Sequence, residues 1–105
     1  MVVTFGEEYL REMYEDGKVT DKKHRFQPEI VRKYKYCINA LKSASSIEAI
    51  CNVKSFNYEE LQGDKKGISS IRVNLKYRVE FTVKDSENEP IVTVCNIIEL
   101  SNHYK

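Results

Sequence analysis

LQGDKKGISSIRVNLKYRVEF, residues 61–81, contains two runs in which apolar and polar side chains alternate. Successive side chains of a strand point to opposite faces. Ile71 and Val73 therefore share one face, and Ser70, Arg72 and Asn74 the other. Further on, Tyr77, Val79, Phe81 and Val83 line one face, with Lys76, Arg78, Glu80 and Thr82 behind them. Asn74 and Leu75 suit a tight turn, so the two runs predict an antiparallel hairpin. Such a hairpin puts Arg72 and Arg78 on one face of a sheet. Arg offers a planar fork of donors that stays charged at any working pH, which makes the pair a candidate phosphate site. A solvated outer sheet face shows the same alternation.

Upstream, Gly63 and Gly67 suit the turn that enters the hairpin. Ser45 and Glu48 have capping-box spacing for a short helix with Ile47, Ile50 and Cys51 inward. Pro28 fits the first position of a longer helix whose buried stripe is Ile30, Tyr34, Cys37, Ile38 and Leu41. Thr4 and Glu7 predict the cap of a first helix carrying Leu10, Met13 and Tyr14, closed by Gly17. A weak strand, residues 2–5, precedes it. Downstream, a polar turn at 84–89 leads to Pro90 and to residues 91–100, which are apolar on both faces apart from Thr93, Asn96 and Glu99. A strand of that kind belongs inside a sheet, between the hairpin and the N-terminal strand. The expected fold is α+β: a twisted antiparallel sheet made of the N-terminal strand and a three-strand C-terminal meander, with two N-terminal helices and a short third helix on one face.

The 105 residues suit one domain, 1–105, with no linker or repeat dividing it. No apolar run reaches the length of a membrane span, and MVVTFGEEYL has no secretory pattern, so a cytoplasmic protein without a membrane partner is expected. Cys37, Cys51 and Cys95 are odd in number and far apart, which predicts buried thiols in a reducing compartment, no disulfide framework and no metal site. No Gly-rich phosphate loop is present, and no cofactor is implied.

The formal net charge is only +1, but it is unevenly spread. Residues 17–36 hold seven cations (Lys18, Lys22, Lys23, Arg25, Arg32, Lys33, Lys35) against Asp21 and Glu29, a net +5. Residues 64–78 hold five (Lys65, Lys66, Arg72, Lys76, Arg78) against Asp64, a net +4. If the two stretches meet, they form a positive surface for a polyanion. Arg32, Lys33, Lys35 and Tyr36 lie off the apolar stripe of their helix and could grip a nucleic-acid backbone and stack on a base. A solvated helix face reads the same way.

The run LQGDKKGISSIRVN followed by KYRVEF resembles the HigB branch of the RelE-type bacterial toxins. In that family a Leu-x-Gly segment, a Gly-x-x-Ser-Ile-Arg-Val-Asn strand and a Tyr-Arg strand occur in this order. The resemblance is close over residues 61–81 and looser over the whole chain to its ending Asn102, His103, Tyr104. It implies metal-independent cleavage of messenger RNA in the ribosomal A site. It also implies a partner antitoxin with a helix-turn-helix domain, through which the complex reaches operator DNA. Arg78 matches the family's phosphate-stabilising arginine, and Arg72 a basic residue on the preceding strand.

Transfer of the scissile phosphoryl to the neighbouring 2′-hydroxyl needs a base, an acid and positive charge on the non-bridging oxygens. Arg72 and Arg78 are expected to hold the phosphate, His103 to transfer a proton, and Tyr104 to stack on or orient a base. Lys65, Lys66, Lys76, Lys22, Lys23, Arg25, Arg32, Lys33, Lys35 and Tyr36 are expected to bind RNA or the ribosome. Two departures are visible. Well-studied members end in Asp-Tyr-His, where this chain has Asn102-His103-Tyr104. Some members place a histidine before the Leu-x-Gly segment, where this chain has Glu59 and Glu60, which makes Glu59 a candidate base. Other readings are a ParE-like toxin that inhibits DNA gyrase by binding, and a toxin-fold interaction protein without catalysis.

Overall fold

The computed structural model describes residues 1–102. In chain order it contains β1 (Val2–Phe5), α1 (Glu8–Glu15), α2 (Pro28–Ser43), α3 (Ile47–Cys51), β2 (Glu59–Glu60), β3 (Ser69–Arg72), β4 (Tyr77–Asp85) and β5 (Thr93–Asn102). The strands form one sheet in the order β1-β5-β4-β3-β2. As its two-sided apolar character predicts, β5 lies inside, between β4 and β1. Among the described residues no helix is long and apolar enough to cross a membrane.

The sheet is mixed rather than wholly antiparallel. β1 runs parallel to β5, with Val3 opposite Cys95 and Phe5 opposite Ile97, while every other pairing is antiparallel. Parallel neighbours need a long crossover, and the chain from α1 to β4 supplies it. The extra edge strand β2 is two residues long, too short for alternation to mark it. Between β3 and β4 the turn is fastened by Asn74, whose Oδ1 accepts from the backbone N–H of Lys76 and of Tyr77, both at 2.8 Å. Gly63 and Gly67, with φ of +67° and +92°, take left-handed backbone in the segment entering β3.

The three helices pack on the face carrying Ile71, Val79 and Phe81, and their buried side chains, among them Leu10, Met13, Tyr34, Ile38 and Leu41, complete the core. α2 begins at Pro28 and buries all five residues of its expected stripe. The Tyr34 hydroxyl donates to the Leu10 carbonyl at 2.8 Å, which satisfies a phenol that would otherwise be an unpaired group in the core. Burial pushes the Tyr34 phenol far above its usual range.

The helix starts differ from the capping expectations. Thr4 is held by strand pairing instead, and its hydroxyl donates to Asn96 Oδ1 at 2.8 Å. α1 therefore begins from Glu7 without a side-chain cap. α3 is capped by Ser46 rather than Ser45, the Ser46 Oγ accepting from the Ala49 N–H at 3.2 Å. Cys51, at the end of this five-residue helix, is exposed rather than buried, because Ile50 takes the inward position of the last turn.

Candidate active site

The second sheet face is where the expected phosphate site falls. The register sets Arg72 opposite Arg78, Ser70 opposite Glu80, and Arg78 opposite Ser101. The sequence predicts an open face, but this one is partly roofed. Residues 61–65 fold back over it, so that Arg78 is only 6 % exposed and Glu80 only 5 %. Leu61, Gln62 and Lys65 form one wall of a cavity of about 210 Å³; Arg78, Glu80 and Ser101 are among the sheet residues lining it.

The roof is tied down by one ion pair. Lys65 Nζ donates to Glu80 Oε1 at 3.0 Å and Oε2 at 2.9 Å, and Ser101 Oγ donates to Glu80 Oε2 at 2.7 Å. The hydrogen bond to Glu80 holds the Lys65 ammonium above its usual pKa. Arg78 has no such match. Its Nε and Nη1 are buried without a hydrogen-bond partner, as are Arg72 Nε and Ser70 Oγ. Buried charged donors are normally paired, and these two arginines face each other across a strand pair, where like charges repel. A cavity lined by such a guanidinium is chemically suited to an anion with several acceptor oxygens.

Glu59, on β2, is exposed and lines the same cavity, with Asn57 Nδ2 donating to its Oε1 at 3.3 Å. Asn102, at the end of β5, lines it too. His103 and Tyr104, the expected proton-transfer and stacking groups, lie outside the described residues. Lys66 and Lys76 are exposed in the segments entering β3 and β4. Glu80, Ser101 and Lys65 as a connected unit were not anticipated. The visible signal is an acid at a polar-face position between Arg78 and Thr82.

The remaining basic candidates are placed differently. α2 packs on the opposite sheet face from Arg78, so its cations are across the sheet from the cavity. Arg25, Arg32, Lys35 and Tyr36 line a groove of about 760 Å³ beside α2, over Phe26 and Val31. Tyr36 is 67 % exposed there. Lys33 pairs with Glu29 at 3.6 Å, and Lys22 and Lys23 are exposed in the turn before α2. In that turn His24 stacks on Tyr9 with ring centroids 3.8 Å apart and sits 2.8 Å from Asp21 Oδ2. The groove beside α2 and the Arg78 cavity thus lie on opposite sheet faces, and the two basic stretches touch where Phe26 packs edge-to-face on Tyr77, ring centroids 5.5 Å apart. Among the described residues no cluster of His, Cys, Asp and Glu could hold a metal ion.

Residues 3–94 match the family model described as HigB-like toxin, RelE-like toxin of type II toxin-antitoxin system HigB. The chain is 33% identical to Toxin HigB-1 of Vibrio cholerae serotype O1 over 82 residues, covering 77% of this chain and 82% of that protein. Similar solved structures include YafQ from E. coli, with a TM-score of 0.60 at 12% identity over 96% of this chain and 91% of that one. A YoeB/ParE toxin from Agrobacterium tumefaciens has a TM-score of 0.57 at 19% identity over 99% and 100%. The toxin of a YoeB-YefM complex from Staphylococcus aureus has a TM-score of 0.57 at 18% identity over 99% and 98%. At these identities the structures establish a shared fold.

Proposed function

Because the chain belongs to the HigB-like family of RelE-like toxins of type II toxin-antitoxin systems, we propose that it is a ribosome-dependent, metal-independent endoribonuclease that cuts messenger RNA in the A site and so arrests translation. The observation that supports this most directly is Arg78, a buried guanidinium with unmatched donors lining a cavity large enough for a phosphodiester. Arg78 and Arg72 hold the non-bridging oxygens, and their charge is offset most fully when the phosphorane carries its extra negative charge. The 2′-oxygen attacks phosphorus, the bond to the 5′-oxygen breaks, and a 2′,3′-cyclic end and a 5′-hydroxyl result. His103, next in sequence to the cavity residue Asn102, supplies a proton to the leaving oxygen, and Tyr104 orients a base.

Lys65, at the cavity, and the exposed Lys66 and Lys76 guide the message. Lys22, Lys23, Arg25, Arg32, Lys33, Lys35 and Tyr36 lie across the sheet and hold ribosomal RNA rather than the scissile phosphate. A helix-turn-helix antitoxin neutralises the protein, and operator DNA is reached only through it.

Primer extension on messenger RNA from ribosomes carrying a defined A-site codon tests this reading. A new 5′ end within that codon, dependent on both ribosomes and the protein and lost in Arg78→Ala, is expected. Intact message in the presence of folded, antitoxin-free protein rules the nuclease out and leaves gyrase inhibition or binding alone.

A further inference from the structure

We propose that Glu80 is the proton acceptor for the attacking 2′-hydroxyl, an assignment that rests on the ribonuclease reading. Glu80 and Arg78 are two residues apart on one strand, so they project to the same side about 7 Å from one another along β4. Both line the cavity. That separation accommodates a ribose 2′-oxygen at one end and a non-bridging phosphoryl oxygen at the other, with a hydrogen bond of about 3 Å to each side chain.

A carboxylate offers about four acceptor positions. Lys65 and Ser101 make three contacts with Glu80, only one of them on Oε1. Oε1 therefore retains a position for the substrate hydroxyl. The O2′–H proton passes to Oε1 as the O2′–P bond forms, and the P–O5′ bond breaks with a proton delivered to O5′ by the acid. Lys65 and Ser101 hold the carboxylate in place through these hydrogen bonds. Glu59, the other acid of the cavity, is exposed at the mouth and lies beyond Ser70 from Glu80 in the register.

The test is single-turnover cleavage on programmed ribosomes across pH, for the unaltered protein and the variants Glu80→Gln, Lys65→Met, Glu59→Gln and Arg78→Ala, each checked for folding by circular dichroism. Glu80→Gln is expected to slow cleavage by about 10²-fold or more, the usual worth of a positioned base, and to abolish the acidic limb of the pH–rate profile. Lys65→Met retains the carboxylate without the ammonium that positions it, so cleavage should slow while an acidic limb persists. A merely structural Glu80 would leave no acidic limb for Glu80→Gln to remove. Glu59→Gln should keep the original limb.

If Glu80→Gln cleaves within about threefold of the unaltered protein, against the 10² or more of a lost base, while Arg78→Ala is inactive, Glu80 is not the base and the ribonuclease reading survives. Should Glu80→Gln not fold, a pH–rate profile of the unaltered protein without an acidic limb overturns the assignment by itself. Absence of cleavage by the unaltered protein removes both.

Discussion

Arg72 and Arg78 stand directly opposite each other on β3 and β4, and the Nε of each is buried without a hydrogen-bond partner. Unmet charged donors of this kind cost about 1–3 kcal/mol or more, and opposed like charges add to that. The fold therefore stores instability at the place where an anion is to be received. Inorganic phosphate is expected to raise the melting temperature, most strongly at low ionic strength. Arg78→Met should raise the melting temperature in phosphate-free buffer and lose the phosphate response. Scanning fluorimetry decides; a phosphate-insensitive parent protein counts against anion binding at this pair.

Tyr34 connects α2 to α1 through its hydrogen bond to the Leu10 carbonyl. Tyr34→Phe keeps the ring and deletes the hydroxyl, so the loss should be confined to one buried hydrogen bond, about 1–2 kcal/mol. A lower urea midpoint with an unchanged slope is the expected result.

Thiol reactivity should separate the three cysteines. Burial pushes the Cys37 thiol up to about 12 and raises that of Cys95, whereas Cys51 is exposed. Thiolate is the reactive form. At pH 8 an aromatic disulfide reagent should modify Cys51 quickly and the other two only on unfolding. Rapid modification of all three in the native protein contradicts this packing.

The hairpin turn relies on one side chain. Asn74→Ala removes the acceptor for two backbone N–H groups, those of Lys76 and Tyr77. Because this turn helps fix the register that opposes Arg72 to Arg78, the loss should be about 1–2 kcal/mol of stability, read from chemical denaturation.

Asp21 gives a pH signature. The backbone N–H of Lys23, followed by His24, holds its carboxyl below the ordinary range. A lowered native pKa contributes stability that is present above the unfolded value and is lost as pH falls through the native one. Thermal melts from pH 5 to pH 2 should therefore show a slightly shallower acid decline in Asp21→Asn than in the parent.

Much of this architecture was legible because it rests on strong local signals. Period-two alternation found β3, β4 and their shared arginine face, the apolar stripe found α2, and two-sided hydrophobicity put β5 inside the sheet. What was not legible depends on long-range geometry. Thr4 has the spacing of a helix cap, but pairing with Asn96 outweighs it. The parallel sense of β1 depends on how the whole chain returns, which no local pattern encodes. The roofing of the arginine face comes from residues 61–65 meeting Glu80, fifteen positions from Lys65. Sequence alone therefore showed the arginines as a surface, whereas the folded chain puts Arg78 in the lining of a partly roofed cavity, with Arg72 beside it on the next strand.

The central position of β5 also bears on how the protein is made. Every other strand leaves the translating ribosome before β5 does, yet β5 joins β1 to β4 and contributes Ser101 and Asn102 to the cavity. A nascent chain halted before residue 93 has two sheet fragments with nothing between them. Synthesis order thus delays assembly of the cavity until β5 has emerged, so a copy made only as far as β4 lacks the complete site while still attached to the machinery it is proposed to attack.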